Sequence, residues 1–210
     1  MIFKLPEDEL VFPDPAFADP DGLLAIGGDL RTERLLLAYR SGIFPWFSEG
    51  DPVCWYAPHE RCVLFPDRIR ISRSMRKVIS SGIFNMTWNT AFSQVIGHCA
   101  RVKRKEQTGT WITDEMQRAY IELHKNGHAA SVEVWMDGML AGGLYGVLMG
   151  RVFCGESMFS LVSNASKAAF IDICCSGRFS LIDCQVPNEH LISLGAEMIP
   201  MQDYLDILKG

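Results

Sequence analysis

Two apolar stretches of this chain each contain a carboxylate. The first, Val152–Ser160, reads VFCGESMFS and carries Glu156; the second, Leu181–Gln185, reads LIDCQ and carries Asp183. Their length and apolar content predict that both are buried strands. Because an ionised carboxylate without partners is costly to bury, each needs a partner or a function that offsets this cost. The two stretches therefore predict a sheet that holds a polar site.

The pattern around these stretches predicts further strands and helices. From residue 130 onward the apolar period is that of strands, and Asp137 and Gly138 give a hairpin turn signal. Thr32 is expected to cap the first helix and Gly42 to end it, and Thr, Ser and Gly residues at the ends of other periodic segments predict further helix boundaries. The predicted strands cover residues 131–136, 140–148, 151–157 and 179–185. The predicted helices cover residues 32–41, 72–82, 90–100, 113–126, 164–176, 188–194 and 201–208.

This succession of elements predicts an α+β protein with a mostly antiparallel sheet. The first 60 residues differ from the rest, since they are rich in Pro, Gly and aromatic residues and, around the first helix, are mostly turns. We therefore expect a small N-terminal α/β domain over residues 1–62 and a larger domain over residues 63–210.

Composition excludes several classes of protein. Of the 210 residues 48% are hydrophobic, and no apolar run approaches the roughly 20 residues of a membrane span, which favours a cytoplasmic protein. The seven cysteines form no CxxC pair, a distribution typical of reduced, buried thiols. We recognise no ligand set among the cysteines and histidines, so neither a metal nor a cofactor is expected.

The charge is acidic, at −5, but the cationic residues are unevenly distributed. One group lies within residues 61–77 and another within residues 101–105. A run of charges is often only a solvated face. On an acidic chain, however, two such groups favour a local phosphate-binding track, because the remaining surface repels other polyanions. The track would use Arg73, Arg76, Lys77, Arg101, Lys103, Arg104 and Lys105.

A longer succession of motifs covers most of the chain. In order, the motifs are GLLAIGGDL, AYRSGIFPWF, ISRSM, GTWIT, GHAASVEVW, GGLYGV, VFCGESMFS, NASK and LIDCQVPNEHLISLGA. Together they resemble the bacterial leucyl/phenylalanyl-tRNA–protein transferase family over residues 12–204. The resemblance implies a small N-terminal domain followed by a C-terminal domain of acetyltransferase-like (GNAT) topology.

The resemblance also implies a reaction and its partners. Leu or Phe, and less efficiently Met, would be transferred from aminoacyl-tRNA to the α-amine of proteins that begin with Arg or Lys. The products would be marked for degradation by the N-end rule pathway. Better-known members continue beyond the position of Tyr204 with a basic and aromatic tail, so we expect no tRNA contacts from such a tail here.

Four polar residues are candidates for the chemistry. Asp183 is too acidic to be an efficient general base toward an ammonium group, so we assign it to orienting the attacking amine, with Gln185 on the same side of the strand as its partner. Glu156, beside Gly155, is expected to accept a hydrogen bond from the α-amino group of the transferred residue. Asn188 resembles the Asn of the family's site. The structural alternatives are an Arg pair or loop cap for Asp183, a salt bridge or edge position for Glu156 and a helix N-cap for Asn188.

A donor side chain such as Leu or Phe needs an apolar cavity of limited depth. The candidates for its wall are Leu144, Phe153, Cys154, Phe170 and Ile182, with Met158 nearby and Gly155 and Ser157 beside Glu156. In most proteins such residues are simply core. Trp46 and Trp111 are expected to stack on the terminal adenosine, and Tyr39 to close over the same site. For these three aromatic residues the alternative is packing between domains.

Two other functions remain open. An acyl-CoA-dependent N-acetyltransferase would share the C-terminal topology but needs a basic, glycine-rich pyrophosphate loop of R/Q-x-x-G-x-G/A type, and we find none in the sequence. A non-catalytic RNA-binding module would use the basic groups and the tryptophans, but not carboxylates in apolar strands. A cysteine hydrolase at Cys154 is disfavoured, because apolar surroundings raise the pKa of a thiol.

Overall fold

The computed structural model describes residues 2–102 and 111–210. Within these residues the chain forms two sheets, and the strands of the smaller sheet come from the first 56 residues. They are β1 (Phe3–Leu5), β2 (Leu23–Gly27), β3 (Phe44–Pro45) and β4 (Cys54–Tyr56), in the order β1-β2-β4-β3. Helix α1 (Thr32–Arg40) connects β2 to β3.

The smaller sheet corrects the expectation that this region is mostly turns. Its strands are two to five residues long, too short to show a strand period in the sequence. Their side chains nevertheless build a core, in which Trp55 and Leu24 are fully buried. The Trp55 indole N–H donates to the Gly27 carbonyl at 2.9 Å. Tertiary packing of aromatic and aliphatic residues therefore sets this part of the fold.

The larger sheet holds the two carboxylate-bearing stretches side by side. Its strands are β5 (Glu60–Leu64), β6 (Asn85–Trp88), β7 (Ala129–Met136), β8 (Met139–Met149), β9 (Val152–Ser160), β10 (Leu181–Gln185) and β11 (Glu197–Pro200). Their order is β11-β5-β10-β9-β8-β7-β6. Strands β6 to β9 pair antiparallel, whereas β10 runs parallel to β9 after helix α5 (Ala165–Cys175). Antiparallel hairpin strands, a crossover helix and a parallel strand confirm the predicted α+β class.

The β7–β8 hairpin forms where the sequence predicts it. Asp137 and Gly138 have φ angles of 51° and 76°, the left-handed values that both central positions of a type I′ turn require. The strands pair from Met136 opposite Met139 to Ala129 opposite Val147. Both strands extend beyond the predicted segments.

The remaining α-helices are α2 (Arg73–Ser80), α3 (Phe92–Arg101), α4 (Asp114–Lys125), α6 (Glu189–Leu194) and α7 (Met201–Lys209), and short 3₁₀ helices cover Pro15–Phe17 and Pro66–Arg68. The helix starts predicted at Ser72 and Thr113 are confirmed, since both residues are N-caps whose hydroxyls accept a backbone N–H three residues later at 3.2 Å. The predicted cap at Thr32 is wrong. Thr32 is the first residue of α1, and the N–H of the preceding Arg31 donates to the Asp29 carboxylate at 3.0 Å.

Two apolar cores are built on alternate side chains of β8. Tyr145 and Val147 belong to the first core and Leu144 to the second. The first core also contains the buried apolar residues of α3, α4 and the smaller sheet, and the second contains those of α5. The N-terminal unit, which consists of β1 to β4 and α1, therefore shares a continuous core with one face of the larger sheet.

The chain enters the larger sheet at β5. This strand spans the predicted domain boundary between residues 62 and 63 and pairs antiparallel with β10 and β11. The division into residues 1–62 and 63–210 stays a prediction. Among the helices of the described residues, none combines the length and apolar content that a membrane crossing needs.

Candidate active site

A cavity of about 820 Å³ opens beside the carboxyl end of β10. Strands β8, β9 and β10, helix α5 and the start of α6 contribute to its wall. Residues 44–46 of the N-terminal unit, Trp111 and Val186 complete the lining. Both parts of the chain therefore form this cavity, and most of the contributing side chains are apolar.

The cavity lies where β9 and β10 stop pairing. Their parallel ladder ends at Asp183 opposite Cys154. Beyond this point each strand carries a bulge: Glu156 is the extra residue in the pairing of β9 with β8, and Cys184 is the extra residue in the pairing of β10 with β5. Bulges bend a strand, redirect its side chains and are common next to active sites. Both carboxylate-bearing strands are thus irregular at the cavity.

Glu156 is buried in the cavity wall and accepts hydrogen bonds from three side chains. Tyr39 Oη and Gln185 Nε2 donate to Oε1 at 2.6 and 2.7 Å, and Tyr120 Oη donates to Oε2 at 3.1 Å. Burial raises the pKa of Glu156 to about 7, against the opposing effect of these hydrogen bonds. All three donors are neutral groups. Glu156 can therefore take up or release a proton close to neutral pH.

Asp183 is fully buried, and its carboxylate accepts four hydrogen bonds. Nε and Nη2 of Arg61 donate to Oδ1 and Oδ2, each at 2.8 Å, in the two-pronged geometry that Arg–carboxylate pairs favour. Tyr204 Oη donates to Oδ2 at 2.7 Å, and the Gln185 backbone N–H donates to Oδ1 at 2.8 Å. The structural alternative stated for Asp183, an ion pair with an Arg, is therefore present. Direct contact of this carboxylate with an attacking amine does not fit the geometry, because its oxygens are already occupied.

Arg61 was not predicted as a site residue. It belongs to the cationic group of residues 61–77, but it is fully buried and cannot be part of a surface track. Although burial opposes its charged form, the Asp183 carboxylate raises the pKa of Arg61 above its ordinary value. A single Arg inside the apolar segment ERCVL was the available signal, since a buried cation needs an anionic partner.

Gln185 connects the two carboxylates. It follows the β10 bulge and has a φ of 63°, in the left-handed region that is uncommon for residues other than glycine. Its backbone N–H donates to Asp183 while its side-chain amide donates to Glu156. The sequence predicted that Asp183 and Gln185 meet through side chains on one strand face. The bulge instead joins them through the Gln185 backbone.

The apolar wall of the cavity contains most of the residues predicted for it. These are Leu144, Phe153, Phe170, Ile182 and Met158, with Gly155 and Ser157. Cys154 corrects the prediction, because it is fully buried in the opposite core, with Sγ 3.8 Å from the Tyr204 hydroxyl. Burial raises the pKa of the Cys154 thiol well above its ordinary value, which makes it a poor nucleophile. Cys184 lies at the cavity instead.

Of the three predicted aromatic residues, two line the cavity. Trp46 is 36% exposed and Trp111 is 8% exposed. Tyr39 does not close over the site, since its side chain is buried. Its hydroxyl lies 2.5 Å from that of Tyr120 and donates a hydrogen bond to Glu156. Tyr39 thus acts from behind the carboxylate. Tyr120, which was not predicted, shares the buried face of α4 with Met116, four residues earlier.

Asn188 lines the cavity and also caps α6. Its Oδ1 accepts the Leu191 N–H at 2.9 Å, so the helix-cap alternative is present. A role of Asn188 toward substrate stays a prediction.

The predicted phosphate-binding track is described only in part. Arg73, Arg76 and Lys77 are exposed on α2, and Arg101 is exposed at the end of α3. Lys103, Arg104 and Lys105 lie outside the described residues. The track therefore stays a prediction that rests on the exposure of these four side chains.

The expectation that no histidines have the spacing of a metal ligand pair is wrong, because His124 and His128 have HxxxH spacing. In the structure His124 stacks on Phe92 with ring centroids 4.2 Å apart, and its Nδ1 lies 2.9 Å from the Ala129 carbonyl. Across residues 2–102 and 111–210, no group of three or more His, Cys, Asp or Glu side chains is placed to hold a metal ion.

Comparison with known proteins gives consistent matches along the chain. Residues 63–209 match the family described as leucyl/phenylalanyl-tRNA protein transferase, and residues 28–59 match the N-terminal domain of the same family. The leucyl/phenylalanyl-tRNA–protein transferase of Flavobacterium johnsoniae is 56% identical over 205 residues, covering 96% of this chain and 97% of that protein. The one from Myxococcus xanthus is 52% identical over 94% of this chain and 86% of that protein.

Solved structures give a weaker likeness. A GCN5-related N-acetyltransferase from Kribbella flavida aligns with a TM-score of 0.39 and 11% identity, over 79% of this chain and 59% of that chain.

Proposed function

The chain belongs to the leucyl/phenylalanyl-tRNA–protein transferase family, and we propose that it transfers Leu, Phe and, less efficiently, Met from aminoacyl-tRNA to the N-terminal α-amine of proteins that begin with Arg or Lys. One observation carries the proposal: an apolar cavity ends in the hydrogen-bonded pair Glu156 and Gln185. The apolar wall suits a Leu or Phe side chain, and the polar pair suits an α-amino group. We place the reaction in the cytoplasm, upstream of N-end rule degradation.

The reaction is the aminolysis of an ester. The acceptor amine attacks the ester carbonyl, a C–N bond forms, and the C–O bond to the terminal ribose breaks as that hydroxyl leaves with a proton. Because the ester supplies the driving force, no nucleotide or acyl-enzyme is required. A protein α-amine has a pKa of about 7.7 to 8.0, so roughly a tenth is neutral at pH 7. The site mainly has to position the amine, whose proton leaves with the ribose hydroxyl.

Glu156 and Gln185 each position one of the two amino groups in our proposal. Glu156 accepts a hydrogen bond from the α-amino group of the transferred residue, and its pKa of about 7 allows it to exchange a proton at neutral pH. Gln185 directs Nε2 to Glu156, which leaves its Oε1 as an acceptor for the attacking amine. Trp46 and Trp111 line the same cavity and provide aromatic surfaces for the terminal adenosine.

The start of α5 disfavours the acetyl-CoA alternative. In an acetyltransferase, free N–H groups at such a helix start would bind a pyrophosphate. Here the Ala165 N–H donates to the Val162 carbonyl at 3.1 Å, and the Ser166 N–H donates to Ser160 Oγ at 3.2 Å. These groups are already bonded and are poor donors to a CoA pyrophosphate.

A direct transfer assay tests the proposal. The protein is incubated with Leu-tRNA, Phe-tRNA or Met-tRNA and with peptides that begin with Arg, Lys or Ala, and acetyl-CoA is offered as a competing donor. Mass spectrometry should find Leu, Phe or a smaller amount of Met on the Arg and Lys peptides. Acetylation of the peptides would contradict the proposed donor, and equal use of the Ala peptide would contradict the proposed acceptor.

A further inference from the structure

We infer that Arg61 is the positioning residue that fixes Gln185 in the cavity, acting through the Asp183 carboxylate, and that it couples Gln185 to the segment that carries Trp46. This role rests on the proposed function, in which Gln185 faces the reacting groups. Arg61 itself touches neither substrate.

The surroundings of Arg61 hold its guanidinium in one orientation. It is fully buried on β5, with two nitrogens on Asp183 and the third, Nη1, donating to the Gly42 carbonyl at 3.2 Å. Its Cζ lies over two aromatic rings, 4.6 Å from the Phe44 centroid and 4.8 Å from that of Tyr204. A flat group with forked donors can make these ring contacts and the two-pronged bond at once, whereas an ammonium group cannot.

The orientation of Arg61 determines that of Asp183. A buried carboxylate needs a cation and a full set of hydrogen bonds to stay ionised, and Arg61 supplies the charge and two of its four bonds. The same Oδ1 that receives Arg61 Nε also receives the Gln185 N–H at 2.8 Å. This bond holds Gln185 at a φ of 63°, a conformation that a residue other than glycine keeps only when its surroundings fix it.

Arg61 reaches the cavity from its other side as well. The Gly42 carbonyl and the Phe44 ring, which both contact Arg61, precede Trp46 by a few residues, and Phe44 and Trp46 line the cavity. The Arg61 guanidinium therefore connects residues 42–46 of the N-terminal unit, here called the Trp46 loop, with the bulge of β10. A displacement of this group would move the Gln185 amide and the Trp46 loop together.

The alternative is that Arg61 only neutralises the buried charge of Asp183. Replacing both Arg61 and Asp183 with apolar residues separates this role from the positioning role, because it removes the charge and the hydrogen bond to Gln185 together. Buried ion pairs can often be replaced by apolar residues without loss of stability. The test protein carries Arg61→Met with Asp183→Leu. The matched control replaces the exposed pair Arg68 and Glu197, whose charged groups lie 2.6 Å apart, in the same way.

Transfer is measured with an aminoacyl-adenosine ester as donor and an Arg-initiated peptide as acceptor. We expect the Arg61/Asp183 variant to fold, as judged by circular dichroism and melting, and to lose about 100-fold in kcat. KM for the donor should rise as well, because Trp46 loses its fixed position. The control pair should keep native kcat. A folded Arg61/Asp183 variant with native kcat would overturn the positioning role.

A second variant covers the case in which the double replacement does not fold. Arg61→Lys keeps the charge but loses the two-pronged contact, so we expect kcat to fall about tenfold or more. Because Glu156 then loses the Gln185 donor that lowers its pKa, the apparent pKa of the kcat–pH profile should rise. Native kcat with an unchanged profile would refute the inference. Failure of the proposed function would look different, since the wild-type protein itself would transfer nothing.

Discussion

The Tyr39 hydroxyl donates a 2.6 Å hydrogen bond to Glu156, and this bond joins α1 of the N-terminal unit to the bulge in β9. Tyr120 of α4 binds the other oxygen of the same carboxylate. Glu156 is therefore held by elements that are distant in the sequence, and burial raises its pKa to about 7. The properties of this carboxyl group should respond to changes in either tyrosine.

Glu156→Gln should remove a pH-dependent loss of stability. The pKa of Glu156 in the folded protein, about 7, is above its ordinary value of 4.5, so folding favours the protonated form. The stabilisation that comes from protonated Glu156 is complete below pH 4.5 and is lost as the pH rises through about 7. A pKa difference of this size corresponds to roughly 3 kcal/mol of unfolding free energy. Urea titrations across this pH range should show wild type losing this amount relative to the variant.

The difference between the two proteins isolates Glu156, because all other carboxyl groups titrate in both. Glu197→Gln, at an exposed carboxylate on β11, serves as the control and should show no comparable pH dependence. A difference between wild type and Glu156→Gln that stays constant with pH would contradict the raised pKa.

Tyr39→Phe should destabilise the protein most at high pH. The ring stays in the core, but the ionised Glu156 loses a donor, and hydrogen bonds to charged groups contribute about 1.5 to 3 kcal/mol. Below the pKa of Glu156 the loss should be smaller, because the acceptor is neutral. Urea unfolding on both sides of this pKa measures the difference, with Tyr56→Phe as a half-buried control. Equal losses at the two pH values would show that the Tyr39 bond is independent of the Glu156 charge.

The sequence predicts those parts of the fold that depend on local signals. The Asp137–Gly138 turn and the helix starts at Ser72 and Thr113 are predicted correctly, because each depends on residues within a few positions. The smaller sheet was not predicted, since strands of two to five residues are too short to show apolar alternation in the sequence. Their pairing depends on packing around residues such as Trp55.

The same distinction applies to the candidate site. The apolar wall and the position of Glu156 follow from two strand-like stretches of sequence. The partners of the carboxylates do not, because Arg61 lies 122 positions from Asp183 and Tyr39 lies 117 positions from Glu156. Bulges also shift the strand register, so alternation could not place Gln185.

Phe170→Leu should change the choice of donor. Phe170 lines the cavity from α5, so a smaller side chain enlarges the apolar pocket. We expect the ratio of kcat/KM for Phe over Leu to rise by about tenfold, since apolar discrimination of this kind contributes about 1 to 3 kcal/mol. Transfer from the two adenosine esters measures the ratio. Phe84→Leu, in the same core but not at the cavity, controls for loss of packing, and an unchanged ratio in Phe170→Leu would place the donor side chain elsewhere.

Charge reversal at Arg76 and Lys77 should weaken tRNA binding without altering the chemistry. Both side chains are exposed on α2, and this helix contributes no residue to the cavity. Each phosphate contact adds roughly 0.7 to 0.9 to the slope of log affinity against log salt, so removal of two contacts should reduce the slope by about 1.5. The KM of a small aminoacyl-adenosine donor should stay the same, because such a donor has no phosphates to reach α2.

Titrations with charged tRNA at several KCl concentrations measure the slope, with Lys125→Glu, an exposed cation at the end of α4, as the control. An equal loss in the control would indicate a general charge effect, and an unchanged slope in the α2 variant would remove this helix from the tRNA interface.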